Sequence, residues 1–169
     1  MTIHASVWLL HRKRILVIVG LPVLVALWWA FRPEKLWINE KVNEAAPFDT
    51  SSDPQPILTG RFEGEAHQTR GRATIYKKSD GKRYLLLNDF KTQNGPDVHV
   101  VLARVGDLNL AQDVVNGDLD RIDLGPLKSN QGDQNYDLPA ATDLHKYEAV
   151  VIYGEQFHAA FGSAKLEPF

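Results

Sequence analysis

Residues 15–31 form a run of seventeen uncharged residues directly behind His11-Arg12-Lys13-Arg14. A helix needs about 20 such residues to span a bilayer core, with about 17 at the short end. A basic cluster at the N-terminal side favours keeping that side in the cytoplasm. The expected layout is a cytoplasmic tail over residues 1–13, one transmembrane anchor over 14–32, and an extracytoplasmic remainder. A cleaved secretory signal is the competing reading. Its apolar centre is usually about 7–15 residues, followed by a small-x-small site. Here the run ends Trp28-Trp29-Ala30-Phe31, and cleavage after Ala30 would place Trp28 where a small residue is wanted. Trp28, Trp29 and Trp37 suit an aromatic belt at the outer interface, with Trp8 at the inner one.

Charge divides along the same line. All 21 acidic residues follow residue 33, while four of the 19 basic ones (Arg12, Lys13, Arg14, Arg32) precede it. The later part therefore holds 15 basic against 21 acidic residues, a net charge of −6. Such a domain is a poor partner for nucleic acid, and none is expected. The chain has no cysteine. Disulfides, thiolate metal sites, iron–sulfur clusters and cysteine nucleophiles are thereby excluded.

Residues 33–56 are read as a linker rich in Pro, Ser and Asp, without apolar period and extended by its prolines. From residue 57 to 169 the pattern becomes short apolar runs separated by turn residues. Residues 73–76 and 83–87 flank Ser79-Asp80-Gly81, a hairpin signal. Further runs cover 98–103, 122–124, 134–138, 147–153, 157–161 and 164–166, with 147–153 the strongest. Only 108–115 and 140–145 have room for a helical turn. The expected fold is all-β, an antiparallel, barrel-like β-sandwich preceded by one N-terminal transmembrane helix.

Four histidines follow the linker: His67, His99, His145 and His158. No pair has the spacing of a zinc-protease helix. His99 and His158 fall in expected strands, where plain packing outweighs ligation, although histidines from different strands can converge on a metal or haem. The acidic stretch Asn116-Gly117-Asp118-Leu119-Asp120 lacks EF-hand spacing and reads as a solvated turn. No nucleophile elbow, phosphate loop or dinucleotide fingerprint is present. The glycines, Gly71, Gly125, Gly132 and Gly154 among them, read as turn and bulge positions.

Several blocks are distinctive together: Gly60-Arg61-Phe62-Glu63-Gly64, Asn94-Gly95-Pro96-Asp97-Val98-His99-Val100, and Gly132-Asp133-Gln134-Asn135-Tyr136-Asp137-Leu138-Pro139. With Val150-Val151-Ile152-Tyr153-Gly154 and Phe161-Gly162-Ser163, the succession from residue 57 onward resembles the DM-thirteen domain, or electron-transfer DM domain. The resemblance implies a β-sandwich, often extracytoplasmic, that works near haem-binding domains in redox or electron transfer. It also implies a redox cysteine in the late strand. Gly154 stands at the matching position, so no cysteine-based mechanism is open to this chain.

Two functions follow as expectations. The first is a non-catalytic, membrane-anchored module that binds a small ligand or an envelope protein. The second is an accessory redox domain that holds haem or a metal through histidine, with His67 and His99 as the cofactor-binding candidates because they lie in the resembling blocks. In both, the single-pass anchor places the chain in a cell membrane, most simply a bacterial one, with the C-terminal domain outside.

Overall fold

A computed structural model describes residues 20–26, 29, 41–47, 54–64, 68–104 and 120–169. Most of the expected anchor, residues 33–40 and 48–53 of the linker, His67 and the 108–115 segment lie outside these residues. The chain divides into two units, residues 1–38 and 39–169. In the first, residues 20–26 are helical and almost wholly exposed. Among the described residues no helix is long and apolar enough to cross a membrane.

The second unit is built from nine strands: β1 Gln55–Arg61, β2 Arg70–Lys77, β3 Arg83–Lys91, β4 Val98–Ala103, β5 Arg121–Pro126, β6 Gln134–Leu138, β7 Ala149–Gly154, β8 Ala159–Lys165 and β9 Glu167–Pro168. They form two sheets, ordered β6-β3-β2-β1-β9 and β5-β4-β7-β8, with every strand pair antiparallel. Side chains alternate across a strand, so each sheet sends one set inward. Ala73, Ile75, Leu85 and Leu87 from the first sheet meet Val100, Leu102, Val150 and Ile152 from the second in one buried core. The all-antiparallel, two-sheet fold expected from the turn spacing is the one observed. Along one side the sheets also join through the main chain. Glu63 N–H donates to the Ser163 carbonyl at 2.8 Å, and Ser163 N–H returns the bond at 3.0 Å.

The β2–β3 hairpin closes where Ser79-Asp80-Gly81 places it. Lys82 N–H donates to Asp80 Oδ1 at 2.9 Å, and Gly81 takes φ +86°. Three local expectations are corrected. Tyr147 and Glu148 precede β7 instead of starting it, because Tyr147 N–H closes a turn onto the Asp143 carbonyl at 3.1 Å. Residues 157 and 158 form part of a turn, and His158 has φ +47°, so β8 begins at Ala159 and His158 is not a strand residue. Residues 140–145 hold turns only.

The segment before β1 adds an unforeseen element. Val42 N–H donates to the Gln131 carbonyl at 3.0 Å and Glu44 N–H to the Asp133 carbonyl at 2.9 Å, in parallel register. This ribbon lies beside β6, the edge of its sheet, and occupies main-chain groups that an open edge would leave unpaired. Glu44 fixes it, its carboxylate receiving Lys128 Nζ at 2.7 and 2.9 Å and Asn135 N–H at 2.9 Å. Burial alone would raise the Glu44 pKa, but the Lys128 and Asn135 bonds outweigh it and hold the group below the usual carboxylate value.

The loop before β6 is pinned from inside by Gln134 and Tyr136. Tyr136 Oη donates to Gln134 Oε1 at 3.0 Å and receives Lys128 N–H at 3.2 Å. Burial pushes the Tyr136 pKa up to about 12, against an ordinary value of 10.0. An unfolded chain therefore ionises this phenol near pH 10, and the folded chain does so only near pH 12. The associated stability is complete below pH 10 and is lost as pH rises to 12, an amount of about 2.7 kcal/mol for two pKa units. Urea unfolding at pH 9 and pH 12 should show a wild-type loss about 2–3 kcal/mol larger than that of Tyr136→Phe. Equal losses in both proteins would rule the phenol out.

Candidate functional site

His99 lies on β4, flanked by two carboxylates. Its Nδ1 is 2.8 Å from Asp123 Oδ2 on β5, and its Nε2 is 3.4 Å from Asp97 Oδ1. Asp123 is itself fixed, because its Oδ1 accepts the Gly125 N–H at 2.7 Å across the β5 bulge. Asp97 takes φ +51° at the start of the strand. Both ring nitrogens therefore face carboxylate oxygens, and the Asp123 bond fixes the orientation of the ring. Among the described residues no group of three or more metal-ligating side chains gathers. His67 is outside the described residues, and His145 sits exposed in a turn.

A second polar cluster lies at the β7–β8 turn. Tyr153 Oη and His158 Nδ1 share a hydrogen bond of 2.7 Å, and the Arg121 guanidinium stands 4.7 Å above the tyrosine ring. Arg121 is held by Glu155 at 2.8 and 2.9 Å. Burial raises the Tyr153 pKa, with Arg121 pulling in the opposite direction. Each charge here has its counter-charge, so the cluster is internally satisfied. Gly154 follows Tyr153 in a buried position, and a Cβ there would stand 3.1 Å from Phe161 Cε2.

The third candidate has an excess of positive charge among the described residues. Antiparallel register sets Arg61 of β1 opposite Arg72 of β2, and Arg72 opposite Asn88 of β3. It also sets Arg70 opposite Lys91. Directly opposed residues share a sheet face, and like charges placed so are destabilising. All four cations are exposed and line one cleft of about 730 Å³, which Lys41 of the edge ribbon also borders. Among the described residues no carboxylate pairs with any of the five. Of the two aspartates in the cleft, Asp133 is engaged through Oδ1 by the Asp89 N–H at 2.8 Å.

The cleft owes its shape to a β-bulge. Between Arg70 and Arg72 the register slips, so that Asp89 and Phe90 of β3 oppose Gly71 alone. Asp89 accommodates this with φ +48° and Gly71 with φ +125°. Bulges bend a strand and re-aim its side chains. A Cβ on Gly71 would stand 2.8 Å from Phe90 Cα and 2.9 Å from the Asn88 oxygen, so only glycine fits. Sequence reasoning set Gly71 among the turn and bulge positions but did not gather the cations. The available signal was the spacing Arg70-x-Arg72, which puts both on one strand face.

Compared with known families, the chain matches the model described as "Electron transfer DM13" over residues 61–166. No curated protein and no solved structure matches it.

Proposed function

Because the chain belongs to the electron transfer DM13 family, we propose that it is a membrane-tethered, extracytoplasmic DM13 module that binds an anionic ligand without transforming it. One observation carries this reading. Arg61 with Arg72, and Arg70 with Lys91, are like-charged cross-strand neighbours in one open cleft and lack carboxylate partners among the described residues. A fold that is otherwise acidic tolerates this repulsion where an anion relieves it. Guanidinium groups supply the planar donor forks that grip carboxylate or phosphate with two bonds. The tether rests on the apolar run and on the basic residues before it. The ligand is a small acid or an acidic group carried by an envelope component.

A second reading, an accessory redox domain holding haem or a metal through histidine, is favoured by the family's electron-transfer description. In this chain it would use His99 Nε2, with Asp123 orienting the ring through Nδ1.

One preparation tests both readings. Full-length chain is extracted with detergent from carbonate-washed membranes, then examined by visible spectrum and by thermal unfolding in citrate against chloride at equal ionic strength. The expected protein stays in the washed membrane, is colourless, and melts higher in citrate. A ligand at about 100 times its Kd adds about 2.7 kcal/mol. Equal melting in citrate and chloride overturns the binding reading, a Soret band revives the redox one, and release by carbonate removes the tether.

A further inference from the structure

Beside the cationic cleft stands a second one of about 540 Å³ with a different lining. The two share Arg61 and Arg72. Beyond those arginines the second cleft presents Glu63, Glu167, Lys165 and Ser163. Glu63 and Ser163 are held in place by the paired main-chain bonds that join the two sheets. Both volumes lie within the usual range of small-molecule clefts, roughly 300–1,000 Å³.

The contrast between the two linings limits what can span them. The first cleft wants negative charge. The second mixes both signs, setting the carboxylates Glu63 and Glu167 against Arg61, Arg72 and Lys165, and adds a hydroxyl that donates and accepts (Ser163). A polyanion without hydroxyls would use the cations of both clefts but bring no donor to Glu63 and Glu167. A zwitterion with an ammonium group would satisfy Glu63 and Glu167 but leave Lys165 and Ser163 without a use. Neutral hydroxyl groups, each donor and acceptor at once, match the mixed lining. Building on the anion-binding reading above, we infer that the joined clefts form one site for an acidic saccharide. Its carboxylate or phosphate sits between Arg61, Arg70 and Arg72, and its hydroxyl-bearing ring lies toward Glu63, Glu167 and Ser163.

Titration calorimetry on the full-length chain in detergent, with trigalacturonate, maltotriose, citrate and phosphoethanolamine as probes, separates the alternatives. Trigalacturonate should bind at least tenfold more tightly than citrate, and maltotriose should not bind. Arg72→Gln should weaken trigalacturonate at least tenfold, with Arg61→Gln as the second variant if the first fails to fold. Glu167→Gln gives the sharpest reading because its two effects differ in sign. Losing an acceptor should weaken trigalacturonate several-fold, while losing a negative charge should leave citrate unchanged or tighter. Citrate binding as tightly as trigalacturonate overturns the saccharide assignment and leaves anion binding standing. Maltotriose binding equally well, or phosphoethanolamine binding best, also overturns it. If no acidic probe binds, the anion-binding reading fails as well.

Discussion

Replacing Gln134 with alanine should cost about 3–5 kcal/mol of folding free energy, read as a lower urea midpoint with an unchanged slope. Gln134 is wholly buried at the start of β6, and its amide holds the preceding loop together. Its Nε2 donates to the Ser129 carbonyl at 2.7 Å. Its Oε1 accepts from Lys128 N–H at 3.1 Å, Ser129 N–H at 3.2 Å and Tyr136 Oη at 3.0 Å. Truncation removes a partner from a carbonyl, two amides and a phenol at once, and a buried group left without any partner costs about 1–3 kcal/mol. The sum stays below the upper limit because Tyr136 Oη keeps a 3.4 Å contact with the Pro126 carbonyl and Lys128 N–H keeps its bond to Tyr136. Gln134→Glu should do no better, since a carboxylate there loses the donor to Ser129 and is buried with no cation paired to it. A loss under 1 kcal/mol for Gln134→Ala would mean that the loop is held by something else.

Gln134 also shows what the sequence made legible. The Gly132-Asp133-Gln134-Asn135-Tyr136 block was among those that carried the family resemblance, yet periodicity placed Gln134 and Tyr136 only in an expected strand over 134–138. Polar residues buried for the sake of main-chain partners do not alter an apolar period. The edge ribbon at residues 41–45 is hidden for the same reason. Its attachment runs through two main-chain bonds, to residues 131 and 133, and through the single carboxylate of Glu44, and its side chains have the composition of a linker. The strands themselves were readable from turn signals, as at Ser79-Asp80-Gly81. The faces of β4 and β7 were not, because Val101, Ala103, Ala149, Val151 and Tyr153 are buried opposite the main core and form a second apolar cluster. A strand buried on both sides shows no alternation. His158 failed differently, since the alternation of Phe157, Ala159 and Phe161 mimics a strand across what is a turn with a left-handed residue.

The cationic cleft is the largest thing the sequence concealed. Its cations come from three strands and the edge ribbon, spread from Lys41 to Lys91, within a domain whose net charge is negative. Composition averages such a patch away, and only strand register gathers it.

Gly71 ties that register to the fold, and Gly71→Ala should remove about 3 kcal/mol or more of stability. Two costs add at this position. A side chain at φ +125° is a strained conformation, roughly 1–3 kcal/mol. The new methyl would also press on Phe90 Cα and the Asn88 oxygen, and these are backbone atoms that cannot swing aside. Overpacking of this kind typically costs about 1–3 kcal/mol. Gly81→Ala is the matched control. It has φ +86° at the β2–β3 turn and open space around a Cβ, so it should lose only the strain. Urea unfolding of the two variants side by side separates clash from strain. The same substitution probes the site, because relief of the clash must shift β2 against β3 and with it Arg70 and Arg72 against Lys91 and Asn88. Where Gly71→Ala remains folded it should bind citrate more weakly, while Gly81→Ala should bind as the wild type does. If the two variants were equally stable and bound citrate equally, the bulge would be free to relax and would have no part in setting the spacing of the cations.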